Sequence, residues 1–175
     1  MIPFLPRRAA LLLGLSALSG CGFQPVYRAA SGNGPGPSAD LAAIEVKPIY
    51  ERPGQILREA LKARLASDTG VPHRYDLQVT FTVAGEGLGV LAGNQITRIR
   101  LTGNAAWVLL ARDAKQTRLI AGNERVLDGF DLFNVQYFAS DLDNERVQKR
   151  IAEAMAEKIT LRLAVWFHQH PAAAG

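Results

Sequence analysis

From Tyr75 to Val83 the apolar side chains fall on every second position: Leu77, Val79, Phe81 and Val83 alternate with Gln78, Thr80 and Thr82. A longer run of the same kind follows from Thr97 to Leu110. Ile99, Leu101, Ala105, Trp107 and Leu109 lie on one side of it, and Arg98, Arg100, Thr102 and Asn104 on the other. Successive strand residues point to opposite faces, so each run makes a strand with one apolar and one polar face. A sheet built from such strands needs a covering layer on one side only.

Two helical stripes are available to cover it. Within Gln55–Ser67, Ile56, Leu57, Ala60, Leu61 and Leu65 recur at i, i+3, i+4 spacing, and Gly70 stands where a helix of this register closes. A second helix is expected from Ser140 to Phe167, buried along Val147, Ile151, Ala154, Met155, Ile159, Leu163 and Trp166. Ser140 suits its N-cap, and Asp141 and Asp143 suit the positive end of the helix dipole. Ile44–Pro48 alternates and stops at a proline, which reads as a short strand. Arg118–Leu127 reads as a fourth strand, although its alternation is poor. Between the two long runs, Gly85–Asn94 carries glycines at 85, 87, 89 and 93 and reads as a hairpin connection with apolar side chains near its tip. The order β-α-β-β-β-α predicts an α+β two-layer sandwich, two helices packed on one face of a four-stranded mixed sheet.

The N-terminal end carries an address. Arg7 and Arg8 precede an apolar stretch, Ala9–Leu18, too short to span a bilayer, and Leu18-Ser19-Gly20-Cys21 follows. Small residues let the backbone lie extended in a peptidase cleft, and a cysteine after them supplies a thiol for diacylglycerol. This is the bacterial lipobox pattern, filled by the one cysteine of the chain; an ordinary secretory signal with a chance cysteine is the other reading. The expected organisation is a lipoprotein signal peptide at 1–20, a flexible tether at 21–40, a folded domain at 41–168 and a disordered tail at 169–175. Acylation of Cys21 makes a stable membrane anchor. Gly22 stands where an aspartate is associated with inner-membrane retention in enteric bacteria, which favours the periplasmic face of the outer membrane. The twin Arg7-Arg8 leaves the export route open.

Chemistry is sparse. With one cysteine, neither a disulfide nor a multi-cysteine metal site is available. His73, His168 and His170 are the only histidines, and His168-Gln169-His170 is a poor ligand pair at a helix end. No Gly-Lys-Ser/Thr follows the glycine run, so no phosphate loop is present. Asp141 and Asp143 suit a helix start better than an acid–base pair. No catalytic residue, metal or cofactor is expected. Lys+Arg number 20 and Asp+Glu 16, and loss of Arg7 and Arg8 with the signal leaves 18 against 16, too mild a surplus to indicate nucleic acid. Two features invite a functional reading. Arg98 and Arg100 share the polar face of one strand, roughly 7 Å apart, a spacing that can clamp phosphates as readily as it can decorate a solvated face. Leu88, Val90 and Leu91 place apolar groups near the hairpin tip, suited to a partner, an acyl chain or the core itself.

Cys21-Gly22-Phe23-Gln24-Pro25-Val26-Tyr27 after a lipobox resembles the mature start of the LPS-assembly lipoprotein family (LptE) in its alphaproteobacterial form. The resemblance continues through Ile44-Glu45-Val46, the Leu57–Leu65 helix, the Tyr75–Gly85 strand, Gly93-Asn94-Gln95 and the last helix. It implies two helices on a four-stranded sheet and a non-enzymatic role. The expected partners are an LptD-like outer-membrane β-barrel, which such a domain plugs and helps assemble, and lipopolysaccharide. Family members carry a basic residue near the second hairpin tip and another before the last helix. Here those places hold Leu91-Ala92-Gly93 and Ala139-Ser140-Asp141, so Arg98 and Arg100 are the nearest candidates for lipopolysaccharide phosphates. The alternative expectation is an auxiliary lipoprotein of a lipid-trafficking ABC transporter.

Overall fold

The computed structural model describes residues 37–91, 95–131 and 137–170, without the side chains of 37, 89–96 and 132–141. The signal peptide, Cys21, most of the tether and the last five residues lie outside the described residues. The elements run α1 (Pro37–Ala42), β1 (Ile44–Val46), α2 (Glu51–Leu65), β2 (Tyr75–Leu91), β3 (Gln95–Ala111), β4 (Arg118–Asp131) and α3 (Tyr137–Gln169). The four strands form one sheet in the order β1-β2-β3-β4. β1 lies parallel to β2, and the other pairs are antiparallel, so the sheet is mixed as expected.

One face of the sheet is covered. Leu77 and Phe81 of β2 and Leu101, Ala105, Trp107 and Leu109 of β3 are buried beneath α2 and α3. α3 contributes Val147, Ile151, Met155, Ile159 and Leu163, as its spacing predicts, and a second buried row of small residues, Ala152, Ala156, Thr160 and Ala164. That second row lies on the side of Glu145 and Glu157, which pair with Arg52 at 3.0 Å and Arg64 at 3.3 Å. Both pairs keep the same register, so α2 and α3 run parallel, with small side chains letting them approach. Gly103 of β3 admits α3 closely: a Cβ there would stand 2.5 Å from Ile151 Cγ2.

Several boundaries differ from expectation. Pro37–Asp40, read as the end of the tether, is helical, and Asp40 is buried in an ion pair with Arg74. α2 begins four residues early because Pro53 and Gly54 sit in its first turn, where a missing N–H removes no helical bond. It ends at Ala66 rather than through Gly70: Ala66 adopts the left-handed conformation at φ 54° and its N–H bonds Lys62 O. α3 starts at Tyr137, which puts Ser140 inside the helix rather than at its cap.

The largest correction concerns the glycine run. Gly85–Leu91 is not a loop but the far half of β2, paired with β3 as far as Leu91↔Gln95. Gly85 and Gly87 occupy alternate positions continuing the covered face, and Glu86 and Leu88 continue the open one.

Candidate functional site

The other face of the sheet has no layer over it among the described residues. Across its centre run Gln78, Thr80 and Thr82 of β2, Asn104, Ala106 and Val108 of β3, and Ala121, Asn123 and Arg125 of β4, held side by side by the register. Thr82, Asn104 and Arg125 form one row, Thr80, Ala106 and Asn123 the next. The side chains are mostly short and uncharged, Thr, Asn and Gln interleaved with Ala106, Val108 and Ala121.

Charge gathers at both ends. At one end Lys47 lies 3.2 Å from both Glu45 and Asp76, and Arg112 binds Glu45 and, at 2.7 Å, Asp76. This network compensates itself. At the other end are Arg98 and Arg100, both exposed on the open face as the alternation predicts. Each faces a cross-strand carboxylate: Arg98 is opposite Asp131 at 3.6 Å and Arg100 opposite Glu86 at 3.9 Å. All four side chains are about half exposed or more, so these pairs are weak and leave the guanidiniums able to exchange partners. Leu88 is opposite Arg98 on β2, and together with Leu127, which is 54% exposed, it adds apolar surface to a shallow groove around the two arginines. The structure therefore brings Arg98, Arg100 and Leu88 together. Val90 and Leu91 belong to the same strand, but their side chains lie outside the described residues, as does Cys21.

The edge strand β4 packs on the core through Ile120, Val126 and Phe130 and is tied to α3 by charge as well. Arg150 Nε donates to Asp128 Oδ2 at 2.7 Å, Arg162 Nε lies 3.0 Å from Glu124, and Lys158 Nζ donates to Arg125 O at 2.9 Å. The hydrogen bond from Arg150 holds the Asp128 carboxyl below the usual carboxylate range, assisted by the Gly129 N–H and opposed by burial. Asp40 is pushed the other way, because burial outweighs the pull of Arg74.

The histidines are scattered. His73 Nε2 is 3.1 Å from Ser67 O, and His170 stacks on Trp166 with ring centroids 4.7 Å apart. Among the described residues no three His, Cys, Asp or Glu side chains gather to hold a metal ion, and no helix is long and apolar enough to cross a membrane.

Sequence reasoning missed three residues of this face. Tyr50, at the start of α2, is 85% exposed, and Arg118 and Arg125 on β4 make no ion pair among the described residues. The one available signal was the pair of arginines in a strand whose alternation was hard to read.

A two-layer α+β domain with a helix-covered face and a free polar face defines the class. The chain belongs to the LptE family, described as lipopolysaccharide-assembly, whose sequence pattern matches residues 41–163. No curated protein matches the chain. Among solved structures, a protein of Caulobacter crescentus CB15 described as a lipoprotein is 27% identical, with a TM-score of 0.64 over 76% of this chain and 96% of that one. A minor lipoprotein of Acinetobacter baumannii is 14% identical, with a TM-score of 0.54 over 70% of this chain and 90% of that one. The rare lipoprotein B of Shewanella oneidensis is 12% identical, with a TM-score of 0.54 over 70% and 92%. The last two share the fold.

Proposed function

We propose that this chain is a lipid-anchored, non-catalytic module that sits inside an LptD-like outer-membrane β-barrel and helps it assemble and pass lipopolysaccharide. Family membership supplies the process. The observation that carries the finer reading is the uncovered sheet face. Its Thr, Asn and Gln side chains suit the polar interior of a transmembrane barrel.

In this reading Cys21 carries the acyl chains and holds the domain at the periplasmic face of the outer membrane. Arg98 and Arg100 meet lipopolysaccharide phosphates, with Leu88 and its neighbours Val90 and Leu91 against acyl chains or the barrel wall. A photoreactive residue at Asn104, central on the open face, tests the placement. It is expected to form an adduct with a β-barrel protein in intact envelopes, and a barrel should co-purify in stoichiometric amount after detergent extraction. A free monomer with no adduct from Asn104 would reject the reading.

A further inference from the structure

The segment between β1 and α2 is built to hold one aromatic side chain out. Ile49 is buried at 4% exposure, whereas the next residue, Tyr50, is 85% exposed. Glu51 then takes a positive φ of 66°, a left-handed conformation unfavourable for a residue with a Cβ. Gly54, in the first turn of α2, leaves the room Ile49 needs: a Cβ there would lie 2.7 Å from Ile49 Cγ2. Pro48 and Pro53 restrict the backbone on either side. A buried anchor, a strained residue and a glycine clearance together fix the backbone at Tyr50, whose side chain touches little of its own chain. Tyrosines held out from the chain in this way are frequent anchors of protein interfaces.

Tyr50 stands on the rim of a groove of about 1030 Å³ that crosses the open sheet face. The floor interleaves Gln78, Thr80, Thr82 and Asn123 with Ala106, Val108 and Ala121, so it can hydrogen-bond an extended backbone and pack small apolar side chains beside it. Arg118 lines the groove from β4 and makes no ion pair among the described residues, while Lys47 is occupied by Glu45 and Asp76 at 3.2 Å each. Glu51 lies at the Tyr50 rim, so the groove has a direction, with its uncompensated positive charge at Arg118.

We propose that this groove takes an extended segment of the partner barrel, packed by Tyr50 and paired through an Asp or Glu with Arg118. The inference rests on the reading of the open face as the barrel-facing surface and adds the docking chemistry. The test places a photoreactive phenylalanine analogue at position 50 of the full-length lipoprotein in its own envelope, with Asn104 as a parallel position. The expected adduct at position 50 maps to an acidic stretch of the barrel. Arg118→Glu should lower its yield at least about five-fold, and reversing the mapped carboxylate to Lys should restore it. Unchanged thermal unfolding of the Arg118→Glu variant separates this from misfolding. An adduct with lipopolysaccharide, no adduct at position 50, or a yield indifferent to Arg118→Glu, each with Asn104 still reaching the barrel, overturns the inference and leaves the wider reading standing. Absence of barrel adducts at both positions overturns both.

Discussion

Arg150 on α3 donates through Nε to Asp128 Oδ2 on β4 at 2.7 Å, and this bond joins the edge strand to the helix that covers the sheet. It has a pH signature. The pKa of Asp128 is lowered in the folded chain, chiefly by that hydrogen bond, so below the ordinary carboxylate value of 3.8 the native state binds fewer protons than the unfolded one. Its stabilisation is present at neutral pH and fades as pH falls through and below that range. Asp128→Asn is expected to lower stability at neutral pH by about 0.2–1 kcal/mol, since Arg150 is half exposed, and to flatten the acid limb. Urea unfolding at pH 7 and pH 3.5 checks this; an equal loss at both values contradicts it.

Asp40 predicts the opposite slope. Burial raises its pKa even though Arg74 pulls it down, so the native state holds the proton more tightly and stability falls as pH rises from 3.8 through the raised value. Arg74→Met removes the only ion-pair partner shown for Asp40 among the described residues and leaves a buried carboxylate. A loss of about 1–3 kcal/mol is expected at neutral pH, shrinking toward pH 4 as the carboxyl protonates. Denaturant midpoints across that range give the slope, and a loss that grows on acidification would refute the assignment.

Gly103 tests the fit of α3 on the sheet. Because an added Cβ would come 2.5 Å from Ile151 Cγ2 and 3.2 Å from Phe81 Cε2, Gly103→Ala must displace the helix or twist side chains off their rotamers. A loss of about 1–3 kcal/mol is expected. Ile151→Leu in the same chain should recover part of it, because leucine keeps the volume but carries no Cγ2 methyl at the clash. A double-mutant cycle by chemical denaturation measures the coupling, and simple additivity would show that the two residues do not compete for space.

The elements that were legible in the sequence are those whose burial is periodic and one-sided. β2 up to Val83, β3, α2 and α3 each carry a long stripe, and their packing follows from it. β4 was harder because its covered face holds Gly122, Glu124 and Asp128. A Cβ at Gly122 would lie 2.7 Å from the Trp107 ring, and the two acids meet Arg162 and Arg150, so neighbours in space decide what the strand's own pattern does not. The glycine run was misread because glycine marks turns. Here alternation survives in the residues between, Glu86, Leu88 and Val90. α1 is six residues long and is held by burial of Leu41 and Ala42 and by the contact of Asp40 with Arg74, none of it visible locally. For the open face, alternation placed Arg98 and Arg100 correctly. Their partners Asp131 and Glu86 emerge only from strand register, and the standing of Tyr50 and Arg118 only from the groove between them.

The pairing of those two arginines shapes what their removal should do. In the free protein Arg98 and Arg100 are opposed by Asp131 and Glu86 at 3.6 and 3.9 Å, so a phosphate must compete with carboxylates already in place. Arg98→Ala with Arg100→Ala is expected to weaken binding of phosphorylated lipid A by about ten-fold, at two exposed charge contacts of ~0.7 kcal/mol each, and to weaken the dephosphorylated form much less. Asp131→Asn with Glu86→Gln should act in the opposite sense, freeing the guanidiniums and tightening the phosphorylated ligand, more so at low salt. Surface-immobilised lipid A in both forms gives the comparison. Equal affinity of the unaltered protein for the two forms would remove the role assigned to Arg98 and Arg100, and weaker binding by the carboxylate variant would show that Asp131 and Glu86 position the arginines rather than compete for them.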